Sequence, residues 1–235
     1  MELFEQYKQL LLKIAPIIKN SILLKSSDGV NVENLDSYKG IGSKHAYSRI
    51  APLQLLHPNI RIKNQPNILD TFFINQMMVA KKTSEYFVIN QFDMSKCWSI
   101  INLLPLLVYK HKKVLMKGIP TGCHIGSRPI DLYVMIMESL GIRVEKVNNS
   151  YYFEYVGVSE DVFVELPFPS FSGTSVACYL ALLNNYETCI TNVSIEPEII
   201  FLLNVIEEIG YKVWFEKDKR AVSYTHLTLP TILRV

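Results

Sequence analysis

Val114-Leu-Met-Lys-Gly-Ile-Pro-Thr-Gly-Cys-His-Ile-Gly-Ser-Arg-Pro-Ile-Asp131 reads as a strand, a glycine-rich loop and the start of a helix. Val114 to Met116 is an apolar, strand-like run, and Ile130 to Leu140 carries a helical pattern. Between them, Gly118, Gly122 and Gly126 let backbone N–H groups approach a ligand closely. A loop that feeds a helix N-terminus suits an anion, because the first N–H groups are unpaired and the dipole is positive there. Pro129 fits the first helical turn, where its missing N–H costs nothing. Arg128 adds a planar positive fork suited to carboxylate or phosphate. Cys123 lies in this electropositive stretch, where a thiol pKa tends to fall. On the residues alone, two readings stand: an anion-binding loop with a reactive cysteine, or a helix-start turn with a buried structural one.

The same unit recurs on either side. Ile60-Arg-Ile-Lys-Asn-Gln-Pro66 is a strand, a turn and a proline, followed by a helix over Ile68 to Ala80. Ile190-Thr-Asn-Val-Ser-Ile-Glu-Pro197 is a third copy, with its helix ending at Gly210. The prolines at 66, 129 and 197 recur at intervals of 63 and 68 residues. Leu140-Gly-Ile-Arg-Val144 and Ile209-Gly-Tyr-Lys-Val213 are matching exits, each a C-cap glycine leading into a strand. Tyr151 to Val156 and Val162 to Leu166 read as further strands, and Ser172 to Leu183 as a helix. Three repeats of alternating strands and helices predict an α/β fold layered around one core.

Towards the N-terminus, Leu3 to Leu24 reads as a helix, with Pro16 dividing it. Ser26 to Asn34 reads as a turn and a short strand. Gly40-Ile-Gly-Ser-Lys-His-Ala46 places Lys44 at a glycine-flanked helix start, a position suited to an anion.

Composition narrows the function. The chain has 235 residues, 49% of them hydrophobic, enough for a sizeable core. A net charge of +2 gives no case for nucleic-acid binding. No apolar stretch is long enough to span a membrane. Cysteines 97, 123, 178 and 189 have no metal-ligand spacing, and their scatter suits a reducing, cytoplasmic compartment. No metal and no cofactor is expected.

Gly122-Cys-His-Ile-Gly-Ser-Arg-Pro-Ile-Asp-Leu132 closely resembles the active-site loop of the enolpyruvyl transferase family, in its branch acting on UDP-N-acetylglucosamine. The resemblance extends to Lys44, Ser170-Phe-Ser-Gly-Thr174 and Glu196-Pro-Glu-Ile199. It implies an inside-out α/β domain of three strand–helix repeats, helices within and sheets without, incomplete at its C-terminus. It implies transfer of an enolpyruvyl group from phosphoenolpyruvate to the sugar 3-hydroxyl, with release of phosphate. Cys123 is then the candidate catalytic acid and covalent partner. Lys44 and Arg128 contact anionic substrate groups. Pro129, Ile130 and Asp131 line the uridine side, while Ser170 and Ser172 hold the diphosphate.

Departures from the family pattern are specific. His45 replaces an asparagine, Thr121 a glycine and Ile195 an arginine. Aligning Ser99 and Pro105 puts Cys97 where the family has a phosphate-contacting arginine, with Lys96 as the adjacent substitute. These departures leave two alternatives open: a paralogue using another acceptor, or a nucleotide-sugar-binding homologue without turnover.

Val222 to Thr231 resembles the conceptual translation of a transposon adapter used in sequencing libraries, ten residues in register. The expected organisation is therefore an extra helix and lead-in strand over 1–43, an incomplete first transferase domain over 44–221, and a non-native tail over 222–235. A fragment ending there is expected to be inactive.

Overall fold

The structure, a computed structural model, describes residues 20–25, 38–39, 44–63, 65–82, 84–90, 97–118, 130–184 and 186–217. Its organising element is a four-stranded sheet made from one contiguous stretch. Strands β4 (Phe87–Ile89), β5 (Lys113–Lys117), β6 (Ile142–Val147) and β7 (Ser150–Tyr155) lie in the order β4-β5-β7-β6. The β4–β5 pair is parallel, and β7 runs antiparallel to both β5 and β6. Register aligns Phe87, Val114, Phe153 and Val144 in one row across the sheet. Phe87, Val114 and Phe153 are buried. Alternation along each strand thus gives the sheet one apolar face.

A second sheet has the same plan. Strands β8 (Val162–Glu165), β9 (Thr188–Thr191) and β10 (Lys212–Lys217) correspond to β4, β5 and β6. The place of β7 is taken by β1 (Asn20–Lys25), from the other end of the chain. β1 runs antiparallel to β9 and β10, as β7 does to β5 and β6. The equivalent row is Val164, Ile190, Ile22 and Phe215.

Asn20–Lys25 is therefore strand, which corrects the helix expected to run as far as Leu24. The apolar cluster there fits both periods, and pairing on both edges decides between them. Ile22 and Leu24, two apart, are fully buried on one face. The rest of that expected helix, and Ser26 to Asn34, lie outside the described residues.

The first repeat is smaller. β2 (Tyr38–Lys39) pairs in parallel with β3 (Ile62–Lys63). Helices α1 (Lys44–Ile50) and α2 (Leu69–Val79) belong to it. The later repeats contribute α3 (Ile100–His111), α4 (Asp131–Ser139), α5 (Phe171–Leu182) and α6 (Pro197–Glu208).

These helices form the interior. In α5 every residue from Gly173 to Leu182 is buried, and in α3 every residue from Ile100 to Val108. A helix apolar on all sides has no solvent face to offer and is stable only when surrounded. The outer strand β6 shows the converse, with Arg143 and Glu145 exposed on one face. The expected inside-out arrangement is the one observed. Both exit glycines have left-handed backbones, φ +86° at Gly141 and φ +104° at Gly210. Among the described residues no helix is long and apolar enough to cross a membrane.

Candidate functional site

Helices α1, α4 and α5 begin next to expected site residues, and their N-terminal residues frame the site. α5 is capped by Ser170, whose backbone is extended and whose Oγ accepts the Gly173 N–H at 3.1 Å. This satisfies one of the helix's unpaired donors. A serine hydroxyl also carries a proton, so Ser170 can still donate to a ligand. Gly173 is needed for this fit: a Cβ there would meet Ser170 Oγ at 3.0 Å and Leu132 Cδ2 at 3.1 Å.

Beside this cap lies a cavity of about 720 Å³, lined mainly by apolar groups from α4 and from the turn into α5. Asp131, Ser170 and Ser172 line it, together with Trp98, Tyr133 and Phe171. Three residues expected to bind substrate therefore share one cavity. Ile130 is buried just before α4 and supports that helix through its carbonyl, which accepts the Val134 N–H. Tyr133 meets Trp98 edge to face, with ring centroids 5.9 Å apart. A second cavity, of about 620 Å³, lies over Gly157 to Asp161 and is lined by none of the expected residues.

Lys44 and His45 open α1 and are exposed. His45 meets the Phe171 ring edge-on at 6.1 Å, which brings the start of α1 to the start of α5. Lys44 Nζ lies 3.0 Å from Asp70 Oδ1. The other carboxylate oxygen of Asp70 accepts from Ser99 Oγ at 2.8 Å and Cys97 Sγ at 3.3 Å. Burial raises the Asp70 carboxyl, but the hydrogen bonds from Ser99, Lys44 and Cys97 and the Lys44 charge outweigh it. The carboxyl ends below its ordinary value and stays ionised.

Cys97 is changed in the opposite sense. Burial, the Asp70 charge and its hydrogen bond push the thiol up to about 12. It is a neutral donor to Asp70, with no positive charge to offer a phosphate. Lys96, its expected substitute, lies outside the described residues, as do Cys123, Arg128 and Pro129.

Asp70 was not expected from sequence. Its position in the first turn of α2 suggests only a favourable helix-dipole contact. Arg49 was not expected either. It is 3% exposed, and its guanidinium carbon sits 3.4 Å above the centroid of Phe171.

An interior of buried helices flanked by two matching sheets, with a polar-edged cavity at converging helix starts, defines the enolpyruvyl transferase class. The EPSP synthase (3-phosphoshikimate 1-carboxyvinyltransferase) family profile matches residues 97–226, and the chain belongs to this family. Among curated relatives, UDP-N-acetylglucosamine 1-carboxyvinyltransferase of Nitrobacter hamburgensis is 32% identical over 143 residues, covering 61% of this chain and 32% of the relative. The protein of that name from Pseudothermotoga lettingae is 31% identical over 120 residues, covering 51% of this chain and 28% of its own length. The chain thus spans about a third of the length of these relatives. The enolpyruvyl transferase NikO from Streptomyces tendae has a similar fold, with a TM-score of 0.54 at 11% identity over 82% of this chain and 48% of its own.

Proposed function

We propose that this chain is the N-terminal part of a transferase that moves the enolpyruvyl group of phosphoenolpyruvate to the 3-hydroxyl of UDP-N-acetylglucosamine. The observation that carries the reading is the convergence of Asp131, Ser170 and Ser172 on one cavity, beside the start of α1 that bears Lys44 and His45. Residues 44–221 are the first domain on this reading, 1–43 lead into it, and 222–235 are not native. The reducing, cytoplasmic setting rests on Cys97, Cys178 and Cys189, all buried and unpaired.

The chemistry assigns the roles. A proton goes to the vinyl carbon of phosphoenolpyruvate, the sugar hydroxyl adds to the neighbouring carbon, and the hydroxyl proton goes to a base. Phosphate then leaves as a proton is lost from the new methyl group. Cys123 supplies the first proton and is the residue able to form a covalent adduct at the cationic carbon. Arg128 and Lys44 neutralise phosphate and carboxylate. Pro129, Ile130 and Asp131 meet the uridine, Ser170 and Ser172 meet the diphosphate, and His45 is a further substrate contact beside Lys44. Lys96 is the remaining cation near the phosphate.

One observation favours a second reading. Cys97 stands where the family resemblance places an arginine, and its thiol is buried and neutral. That loss of charge points to a divergent acceptor or to nucleotide-sugar binding without turnover. Phosphate release by the full-length protein, given both substrates, tests the two. Release that Cys123→Ser suppresses supports the transferase. Binding of the nucleotide sugar without release supports the second reading, and release with another acceptor alone supports the paralogue.

A further inference from the structure

We infer that Arg49 is a positioning residue for the anionic half of a nucleotide ligand, acting through Phe171. This rests on the reading of the cavity as a nucleotide-sugar pocket. Arg49 is in the last turn of α1, away from the helix start that carries the expected contacts. Its guanidinium carbon sits 3.4 Å over the centroid of the Phe171 ring, which lines the cavity, and His45 meets the same ring in a T-shaped contact. Arg49 and His45 are four residues apart on one helix face, so together they clasp a single aromatic side chain. Phe171 is only half-buried, and this clasp is what holds its ring as a cavity wall.

The charge on Arg49 is poorly compensated. Nη1 donates to the His45 carbonyl at 3.0 Å and to Ser48 Oγ at 2.9 Å, while Nε has no hydrogen-bond partner among the described residues. Among the described residues no carboxylate is in ion-pair contact with it, and Glu196 and Glu198 act only at longer range. A buried cation with no contacting carboxylate among the described residues is costly to maintain for packing alone. Placed behind the first residue of α5, it adds to the positive end of that helix dipole. Both fields favour negative charge at Ser170 and Ser172.

Calorimetric titration of the chain with UDP and, separately, with uridine tests this. Arg49→Met keeps an unbranched apolar stem and removes the guanidinium with its charge and its contact with the Phe171 ring. It should weaken UDP about tenfold and uridine less than twofold, whereas Arg49→Lys should recover most of the UDP affinity. Equal UDP binding by wild type and Arg49→Met, or equal loss for UDP and uridine, overturns the inference while leaving the pocket reading intact. A wild type that binds neither ligand overturns both. If Arg49→Met does not fold, Phe171→Leu tests the same clasp: it should weaken UDP more than uridine, and unchanged UDP affinity refutes the role.

Discussion

Lys44 Nζ lies 3.0 Å from Asp70 Oδ1, joining the start of α1 to the first turn of α2. The Lys44 side chain is 47% exposed and that of Asp70 only 12%. Asp70 therefore anchors Lys44 by its ammonium, while about half of the lysine side chain stays exposed. The same carboxylate takes hydrogen bonds from Ser99 and Cys97. It is the hub of the site's first repeat.

Asp70→Asn should lower stability by about 1–3 kcal/mol, the usual cost of unpairing buried hydrogen-bonding groups. Its pH dependence has a definite sign. The folded-state pKa of Asp70 is depressed, so its stabilisation is present above the unfolded carboxyl value and is lost as pH falls through the folded one. Denaturant titrations between pH 7 and pH 3 should show wild type losing this increment below about pH 4, with Asp70→Asn losing less. Parallel curves for the two proteins would contradict the assignment.

The thiols should separate sharply. Burial pushes Cys178 and Cys189 up to about 12, and burial with the Asp70 charge does the same for Cys97. A thiol at that value has negligible thiolate at neutral pH. Iodoacetamide at pH 8 should modify one thiol per folded chain, and Cys123→Ser should abolish that reaction. Mass spectrometry reads the sites directly; early label on Cys97 would show that its pocket opens.

Gly141 is both a helix exit and a close contact. A Cβ there would lie 2.5 Å from the Gly157 backbone, and φ is +86°. Neither backbone can yield as a flexible side chain does. Gly141→Ala should cost about 1–2 kcal/mol in left-handed strain and about 1–3 kcal/mol in overpacking. A thermal melt within a degree of wild type would mean that the turn between β7 and β8 relaxes freely.

Much of the architecture was legible because it repeats. The exit glycines at 141 and 210 are local patterns and appear at their expected places, as do strands β5, β7 and β8 and helices α2, α4 and α5. Pairing is not local. β1 was read as helix because Ile22, Leu23 and Leu24 form an apolar run, and only strands from residue 188 onwards reveal its period. Asp70 and Arg49 escaped for the same reason. The partners of Asp70 are Lys44, Cys97 and Ser99, and the guanidinium of Arg49 rests on Phe171. One sequence carries no record of which distant side chains meet. The family resemblance, aligned on Ser99 and Pro105, places an arginine where Cys97 stands, but it carries no sign of the carboxylate neighbour.

The last prediction concerns the strand that closes the second large sheet. β1 is hydrogen-bonded on both edges, to β9 and to β10, and Ile22 and Leu24 are fully buried. If β1 is integral, Leu24→Ala should destabilise the whole domain by about 2–5 kcal/mol, as core truncations do. An appended N-terminal helix would instead lose a local contact and leave the global transition nearly unchanged. Chemical denaturation followed by Trp214 fluorescence is the suitable probe, because Leu23 pairs with Trp214 across β1 and β10. A cooperative transition moved to lower denaturant with unchanged slope is the expected result. A separate early transition, with the main one unmoved, would show that the sheet is complete without its N-terminal strand.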